Sequence, residues 1–202
     1  MAWFECSGGS SGGDYDVEFF SCTFFNGEGI ILPYTINADY KVSVSFYETS
    51  IQTDAAIIGN SLDATHVHLT ENSNRWYTSG GNSLDEMGAW SGNVVHTFVC
   101  NNGNSHNEFD GVEKNSYTPT TDNNIYYTVG CRGINNQAKP WAVALIGYIK
   151  WFKIESLSTG NVICELKPCQ IKKGSTVIAH GMMDIANDIF YSNSGMIASN
   201  DH

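Results

Sequence analysis

The chain has 202 residues, of which 42% are hydrophobic and 12% aromatic, enough to build one substantial core and too apolar for disorder over most of its length. Ten Lys and Arg against twenty-one Asp and Glu give a formal charge of −11, which repels phosphate backbones and argues against nucleic acid as a partner. The basic run Lys172-Lys173 is too short for an anionic membrane patch, and no apolar stretch approaches the ~20 residues of a membrane span, so a soluble protein is expected.

The first residues, MAWFEC, carry neither a basic n-region nor an apolar h-region of the usual length, so synthesis in a cytosol without an export leader is expected. Ser7 to Gly13 then read SGGSSGG, a linker composition that cannot itself pack. Residues 1–13 are therefore assigned as an extension and residues 14–202 as the domain. An apolar tip on a Gly/Ser tether suggests a docking peptide in which Trp3 and Phe4 engage a neighbouring protein or chain; a plain terminus is the blander alternative.

Past the linker, apolar runs and period-two alternation predict strands over 16–25, 40–47, 55–59, 65–70, 94–101, 125–131, 142–156, 162–168 and 176–180. The clearest is YKVSVSFY, with Val42, Val44 and Phe46 on one face and Lys41, Ser43, Ser45 and Tyr47 on the other. Of Trp151 and Phe152, adjacent in one strand, one belongs to the core. Asn-Gly, Gly-Gly, Asp-Gly and Pro-containing turns separate the runs, and 183–190 alone suggests a brief helical turn. Many short strands without crossover helices predict an all-β, two-sheet antiparallel sandwich and exclude parallel α/β folds.

Six cysteines (Cys6, Cys22, Cys100, Cys131, Cys164, Cys169) without C-x-x-C spacing read as buried free thiols, with Cys164 and Cys169 the pair nearest to an exception. His66 and His68, two apart, would share a strand face and could chelate a metal, although no third ligand is evident. His96 and His180 read as strand residues with satisfied rings. No G-x-S-x-G or comparable nucleophile motif supports cysteine or serine catalysis.

Several segments in order carry a resemblance. Phe25-Asn26-Gly27-Glu28-Gly29-Ile30-Ile31, the YKVSVSFYE strand, Ala56-Ile57-Ile58-Gly59-Asn60, His96-Thr97-Phe98 with Phe109-Asp110-Gly111-Val112-Glu113, and Ile146-Gly147-Tyr148-Ile149-Lys150-Trp151-Phe152-Lys153-Ile154 all contribute. So do Leu166-Lys167-Pro168-Cys169, Gly181-Met182-Met183-Asp184 and Asn187-Asp188-Ile189-Phe190-Tyr191. Together, across about residues 25–197, they resemble the concanavalin A-like (laminin-G-like) jelly-roll domains found in phage tail and related gut bacterial proteins.

That resemblance implies a jelly roll serving as a non-catalytic, lectin-like part of a virion, tail- or fibre-associated, binding a host surface glycan and released by lysis. It further implies a contact to another tail protein through the N-terminal peptide, and a homotrimer by analogy with fibres. The rival readings are a purely structural decoration or assembly protein and a glycoside hydrolase. For the hydrolase, Glu108-Phe109-Asp110-Gly111-Val112-Glu113 resembles the E-x-D-x-x-E spacing of family-sixteen glucanases, in which one Glu is nucleophile and another acid. However, Asp110-Gly111 signals a type I′ hairpin, which would set Glu108 and Glu113 on two strands instead of along one.

No cofactor is required by this reading. Calcium, used by many proteins of this fold, would draw on Asp122, Asn123, Asn124 and Asp63, residues that equally suit an Asx-rich loop. Saccharide recognition calls for flat aromatic faces beside amides and carboxylates in loops. Three stretches have that composition: 72–77 with Trp76 and Tyr77, 86–90 with Trp90, and 135–141 with Asn135, Asn136 and Trp141. Each loop Trp could equally pack over the sandwich edge.

Overall fold

A computed structural model describes residues 2–5, 15–26, 29–49, 56–60, 69–72, 75–80, 83–89, 94–101, 106–116, 121–131, 145–193 and 195–200; at 2–5, 60, 69–72, 75–80, 83–89 and 115–116 it describes the backbone alone. Among these residues none is helical, and the strands in chain order are β1 (Ala2–Glu5), β2 (Tyr15–Phe19), β3 (Cys22–Asn26), β4 (Ile30–Ile36), β5 (Tyr40–Glu48), β6 (Ala56–Asn60), β7 (Leu69–Asn72), β8 (Arg75–Gly80), β9 (Ser83–Ala89), β10 (Val95–Cys100), β11 (His106–Phe109), β12 (Val112–Ser116), β13 (Asp122–Val129), β14 (Ile146–Ser156), β15 (Val162–Lys173), β16 (Thr176–Asp184), β17 (Ile189–Ser192) and β18 (Ile197–Ser199). They form two antiparallel sheets. The larger runs β1-β17-β16-β15-β14-β5-β10-β11-β12, with β2, β3 and β18 attached to its side, and the smaller runs β4-β13-β6-β7-β8-β9. The all-β, two-sheet architecture expected from the alternation is therefore present.

Alternation decides what lies between the sheets. From the larger sheet come Val42, Val44 and Phe46 of β5, Phe98 and Cys100 of β10, and Phe152 and Ile154 of β14; from the smaller come Ile30, Leu32 and Ile36 of β4, Ile57 and Ile58 of β6, and Ile125, Tyr127 and Val129 of β13. All are buried in one cluster, and each such large side chain contributes roughly 1.5–3 kcal/mol by leaving water. β4 ends the order of the smaller sheet, where the exposed Pro33 costs no ladder hydrogen bond.

The larger sheet branches where β14 and β15 part. The two strands pair from Phe152↔Leu166 to Glu155↔Val162; beyond this, residues 146–149 of β14 pair with β3, and residues 169–173 of β15 pair with β2. The chain predicted as one strand over 16–25 is thus two, turning at Phe20-Ser21 so that each half follows a different arm of the fork. Two local features mark the branch. Pro168 has no N–H to give a neighbouring strand, and its carbonyl accepts from Phe20 N (2.9 Å). On β14 the register with β5 slips between Ile149 and Trp151, a bulge that places Lys150 and Trp151 against one residue spacing of the partner. Burial along β14 changes phase at that point, with Gly147 and Ile149 buried before it and Phe152, Ile154 and Ser156 after it.

A second, smaller cluster lies on the opposite phase of β15 and β16: Cys169, Ile171, Met183 and Phe190, with Val17 and Ala179 against them. Met183 and Phe190 are cross-strand partners there, while the neighbouring partners Met182 and Tyr191 belong to the main core. This explains why Cys164 and Cys169 are not bridged to one another. An odd separation along a strand sends them to opposite faces, Cys164 into the main core and Cys169 into the second cluster.

The helical turn expected over 183–190 does not form. Met183 and Asp184 end β16, a turn follows, and Ile189 begins β17. Asp184 Oδ1 accepts from Ala186 N (3.1 Å), a local turn whose composition mimics a helix start, and Asp188 with φ 57° closes it as a hairpin. Of the strand expected over 65–70, Leu69 and Thr70 open β7, and the rest lies outside the described residues.

Candidate functional site

The fork opens a groove of about 540 Å³ on the outer face of the larger sheet, lined by Phe19, Phe20, Ser43, Lys150, Trp151, Lys153, Glu155, Glu165, Lys167 and Pro168. The bulge makes it possible. With the register slipped, consecutive residues Lys150 and Trp151 both reach the same groove, while Phe152 enters the core. Sequence alternation places one of Trp151 and Phe152 inside; the structure makes it Phe152 and leaves the indole partly exposed among charges. Phe19, 52% exposed, and Pro168 add apolar wall at the turn between β2 and β3.

The charges around the indole are paired and fixed. Lys153 Nζ donates to Glu155 Oε1 (2.9 Å), Lys41 Nζ meets Glu155 Oε2 at 2.8 Å, and Lys167 Nζ meets Glu165 Oε1 at 3.1 Å. Burial works against the Glu155 charge, but the bonds from Lys41 and Lys153 outweigh it and hold the carboxyl below the usual carboxylate range. The Glu165 backbone is anchored from beneath, its N–H donating to Asp184 Oδ1 (3.0 Å). The result is an aromatic platform edged by ammonium donors, carboxylate acceptors and the Ser43 hydroxyl, on residues of β5, β14 and β15.

Asp184, fully buried, ties that region to the opposite sheet. Its Oδ2 accepts from Tyr34 Oη of β4 (2.8 Å) and Asn187 Nδ2 (2.8 Å), and its Oδ1 from Glu165 N and Ala186 N. Burial together with this carboxylate pushes the Tyr34 phenol far above its ordinary range, and burial also raises the nearby Cys164 thiol and Tyr191 phenol. Four donors on one carboxylate make a clamp, with no acceptor capacity aimed at solvent.

The sequence E-F-D-G-V-E folds as the expected hairpin. Asp110 (φ 51°) and Gly111 (φ 76°) both occupy the left-handed region that a type I′ turn requires. Asp110 is held further by its side chain, Oδ1 accepting from Thr97 N and Oδ2 lying 2.8 Å from His96 Nδ1. Glu108 and Glu113 are direct partners across β11 and β12. Both flank the buried His106, at 3.6 Å (Nε2 to Glu108 Oε1) and 3.8 Å (Nδ1 to Glu113 Oε1), and Glu113 is 69% exposed at its side chain. They thus sit on two strands of a ribbon, joined through an imidazole.

The remaining expectations divide by what the structure describes. Trp76 and Tyr77 lie on strand β8, paired with Glu71 and Thr70, and 86–89 lie on β9, so neither stretch is the loop its composition suggested; regular pairing with β7 and with each other overrides the Asn-rich flanks. Trp90, Asn135, Asn136, Trp141, His66, His68 and Asp63 lie outside the described residues, as do the side chains of Trp76, Tyr77, Trp3 and Phe4. The backbone of the N-terminal segment pairs with the chain's own β17. Asp122 Oδ1 accepts from Asn124 N (2.8 Å), an Asx turn. His96 is bonded to Asp110 and packs against Phe46 and Phe109, and His180 Nδ1 accepts from Ala198 N. Among the described residues no three His, Cys, Asp or Glu gather to hold a metal. No protein-family model matches the sequence, and a search of curated proteins finds no match.

Proposed function

We propose that the protein is a non-catalytic binding module, tail- or fibre-associated in a phage virion, whose outer-face groove takes a saccharide of the host surface. The observation that carries this reading is Trp151, presented by the β14 bulge between Lys150, Lys153 and Lys167 with Glu155, Glu165 and Ser43 in reach. A pyranose offers an apolar C–H face to an indole and a rim of hydroxyls to charged donors and acceptors. Fixed Lys–Glu pairs suit that rim because each ion is already oriented and little side-chain entropy remains to be lost on binding. The segments that resemble concanavalin A-like domains of phage tails support the virion setting.

Among the described residues the groove's lining offers no nucleophile and base joined by a hydrogen bond, and Glu108 and Glu113 belong to a different ribbon, which favours binding over hydrolysis. The test is an array of bacterial capsular and lipopolysaccharide glycans probed with the intact chain and with Trp151→Ala. Binding at micromolar strength that falls at least tenfold in Trp151→Ala, with an unchanged melting curve and with Leu157→Ala as a surface control, is the expected result. Equal binding by Trp151→Ala, or none by the intact chain, refutes the groove as the site.

A further inference from the structure

The groove is lined by unlike charges in unequal number. On a chain of formal charge −11, its walls carry Lys150, Lys153 and Lys167 against Glu155 and Glu165. Lys41 joins them from β5, where it is the direct partner of Glu155. Four of the ten basic residues in the chain therefore meet at one place, with two carboxylates among them.

The strand register lays them out. Ser43, Lys153 and Glu165 are direct partners in succession across β5, β14 and β15, and Lys41 with Glu155 forms the neighbouring row. Glu155 takes two ammoniums, Lys153 on Oε1 and Lys41 on Oε2, so both its oxygens are engaged, while Glu165 holds Lys167. An ammonium has three N–H donors, and a bond to one carboxylate oxygen leaves others to turn toward a ligand. Lys153 and Lys41 are 30% and 28% exposed at their side chains, so water screens their charge less than that of a fully solvated lysine.

Lys150 stands in the groove because of the bulge. In unbroken alternation Lys150 and Trp151 would lie on opposite faces of β14; the register slip turns both to the same groove. The fold thereby sets an ammonium beside an indole, and a neutral sugar needs only the indole.

We infer that the groove selects an acidic saccharide, one whose ring stacks on Trp151 while a carboxylate or phosphate on its rim takes the ammoniums of Lys150, Lys153 and Lys167. This rests on the saccharide reading and names its ligand class. The excess of cations draws the anion in, and the remainder of the chain, more acidic still, repels it, which confines binding to this place.

The test is an array that pairs uronic-acid polysaccharides with their carboxyl-reduced forms, and phosphorylated polysaccharides with their dephosphorylated forms, probed with the intact chain. Acidic members are expected to bind about tenfold or more tightly than their neutralised counterparts, and the arm that responds identifies the anion. By calorimetry, Lys150→Gln and Lys153→Gln, each with an unchanged melting curve, should weaken the acidic ligand about tenfold and flatten its salt dependence. Lys173→Gln, which removes the same charge outside the groove, should bind as the intact chain does. Equal binding of acidic and neutralised forms that is lost in Trp151→Ala overturns the acidic selectivity and leaves the saccharide reading standing, as does full-strength acidic binding by both lysine variants. Acidic binding that survives Trp151→Ala, or no binding to any polysaccharide, overturns both.

Discussion

Replacing Asp184 tests whether the two sheets are held by chemistry as well as by contact. Four donors converge on its carboxylate, two of them backbone N–H groups and one the Tyr34 hydroxyl from the opposite sheet. Asp184→Ala takes this acceptor from Glu165 N, Ala186 N and the Tyr34 hydroxyl, while Asn187 Nδ2 keeps the Ile163 carbonyl and Tyr34 Oη; each buried donor without a partner costs ~1–3 kcal/mol, and water reaching the exposed Ala186 recovers part, which leaves a net loss of about 2–4 kcal/mol. That is a large share of the ~5–15 kcal/mol typical of a domain. Asp184→Asn keeps one oxygen for Glu165 N and Ala186 N and lets the Tyr34 hydroxyl rotate to accept, but sets amide N–H against the Asn187 amide, for about 1–2 kcal/mol. Tyr34→Phe removes the donation to Asp184 and the acceptor of Asn187 Nδ2, which keeps its other acceptors, and costs about 1 kcal/mol. Urea unfolding, read as a shift of midpoint at constant slope, ranks the three. A loss below about 0.5 kcal/mol for Asp184→Ala, or a larger loss for Tyr34→Phe than for Asp184→Ala, refutes the clamp.

Three further outcomes follow from the same structure. Gly130 combines φ 75° with a close approach of the Phe25 ring, so Gly130→Ala should cost more than about 2 kcal/mol in urea unfolding. At the hairpin, Asp110→Asn should be nearly neutral, Asp110→Gly intermediate and Asp110→Ala worst at about 2 kcal/mol, because Asn retains both the turn conformation and an acceptor for Thr97 N while Ala loses both; thermal melts check the order. Burial pushes the Cys100 thiol up to about 12, so its proton is held more tightly folded than unfolded. Its contribution is fully present below the unfolded thiol's ordinary value of about 9 and is lost as pH rises from there through about 12, with Cys164, Tyr34 and Tyr191 acting in the same direction. Denaturation midpoints should therefore fall above pH ~9, and the five described thiols should resist Ellman's reagent until the chain unfolds.

What the sequence revealed was whatever a single strand or a single turn encodes. Val42, Val44 and Phe46 announce β5 because period two needs no partner to be seen, and Asp110-Gly111 announces its hairpin because few other pairs adopt two consecutive positive φ angles. The break at Phe20-Ser21 was hidden, since it sits in an apolar run without turn residues and is imposed by the divergence of β14 and β15. The groove was hidden for the same reason: Lys150, Trp151, Phe19 and Pro168 are brought together by a register slip and a fork, neither written in local periodicity. A clue did exist at Trp151-Phe152, where two large apolar residues in succession interrupt strict alternation. The Asx turn after Asp184 reads as helix because its first steps share helical chemistry, and the Asn-rich flanks of Trp76 mask a short strand pattern that only pairing with β7 reveals.

The pairing of β3 with β18 sets the order in which the chain can mature. Cys22 Sγ meets the Ser199 carbonyl across 177 positions of sequence, and Ser21 is held by Asn200 and Ser199. A ribosome delivering residues one by one leaves the early β3 waiting, with the Met196 and Ala198 places in the interior unfilled until β18 emerges. Closure is then a late, long-loop search of the kind that makes β topologies slow. Nascent chains stalled before residue 197 should accordingly remain protease-sensitive throughout, however much of the sandwich has already been synthesised.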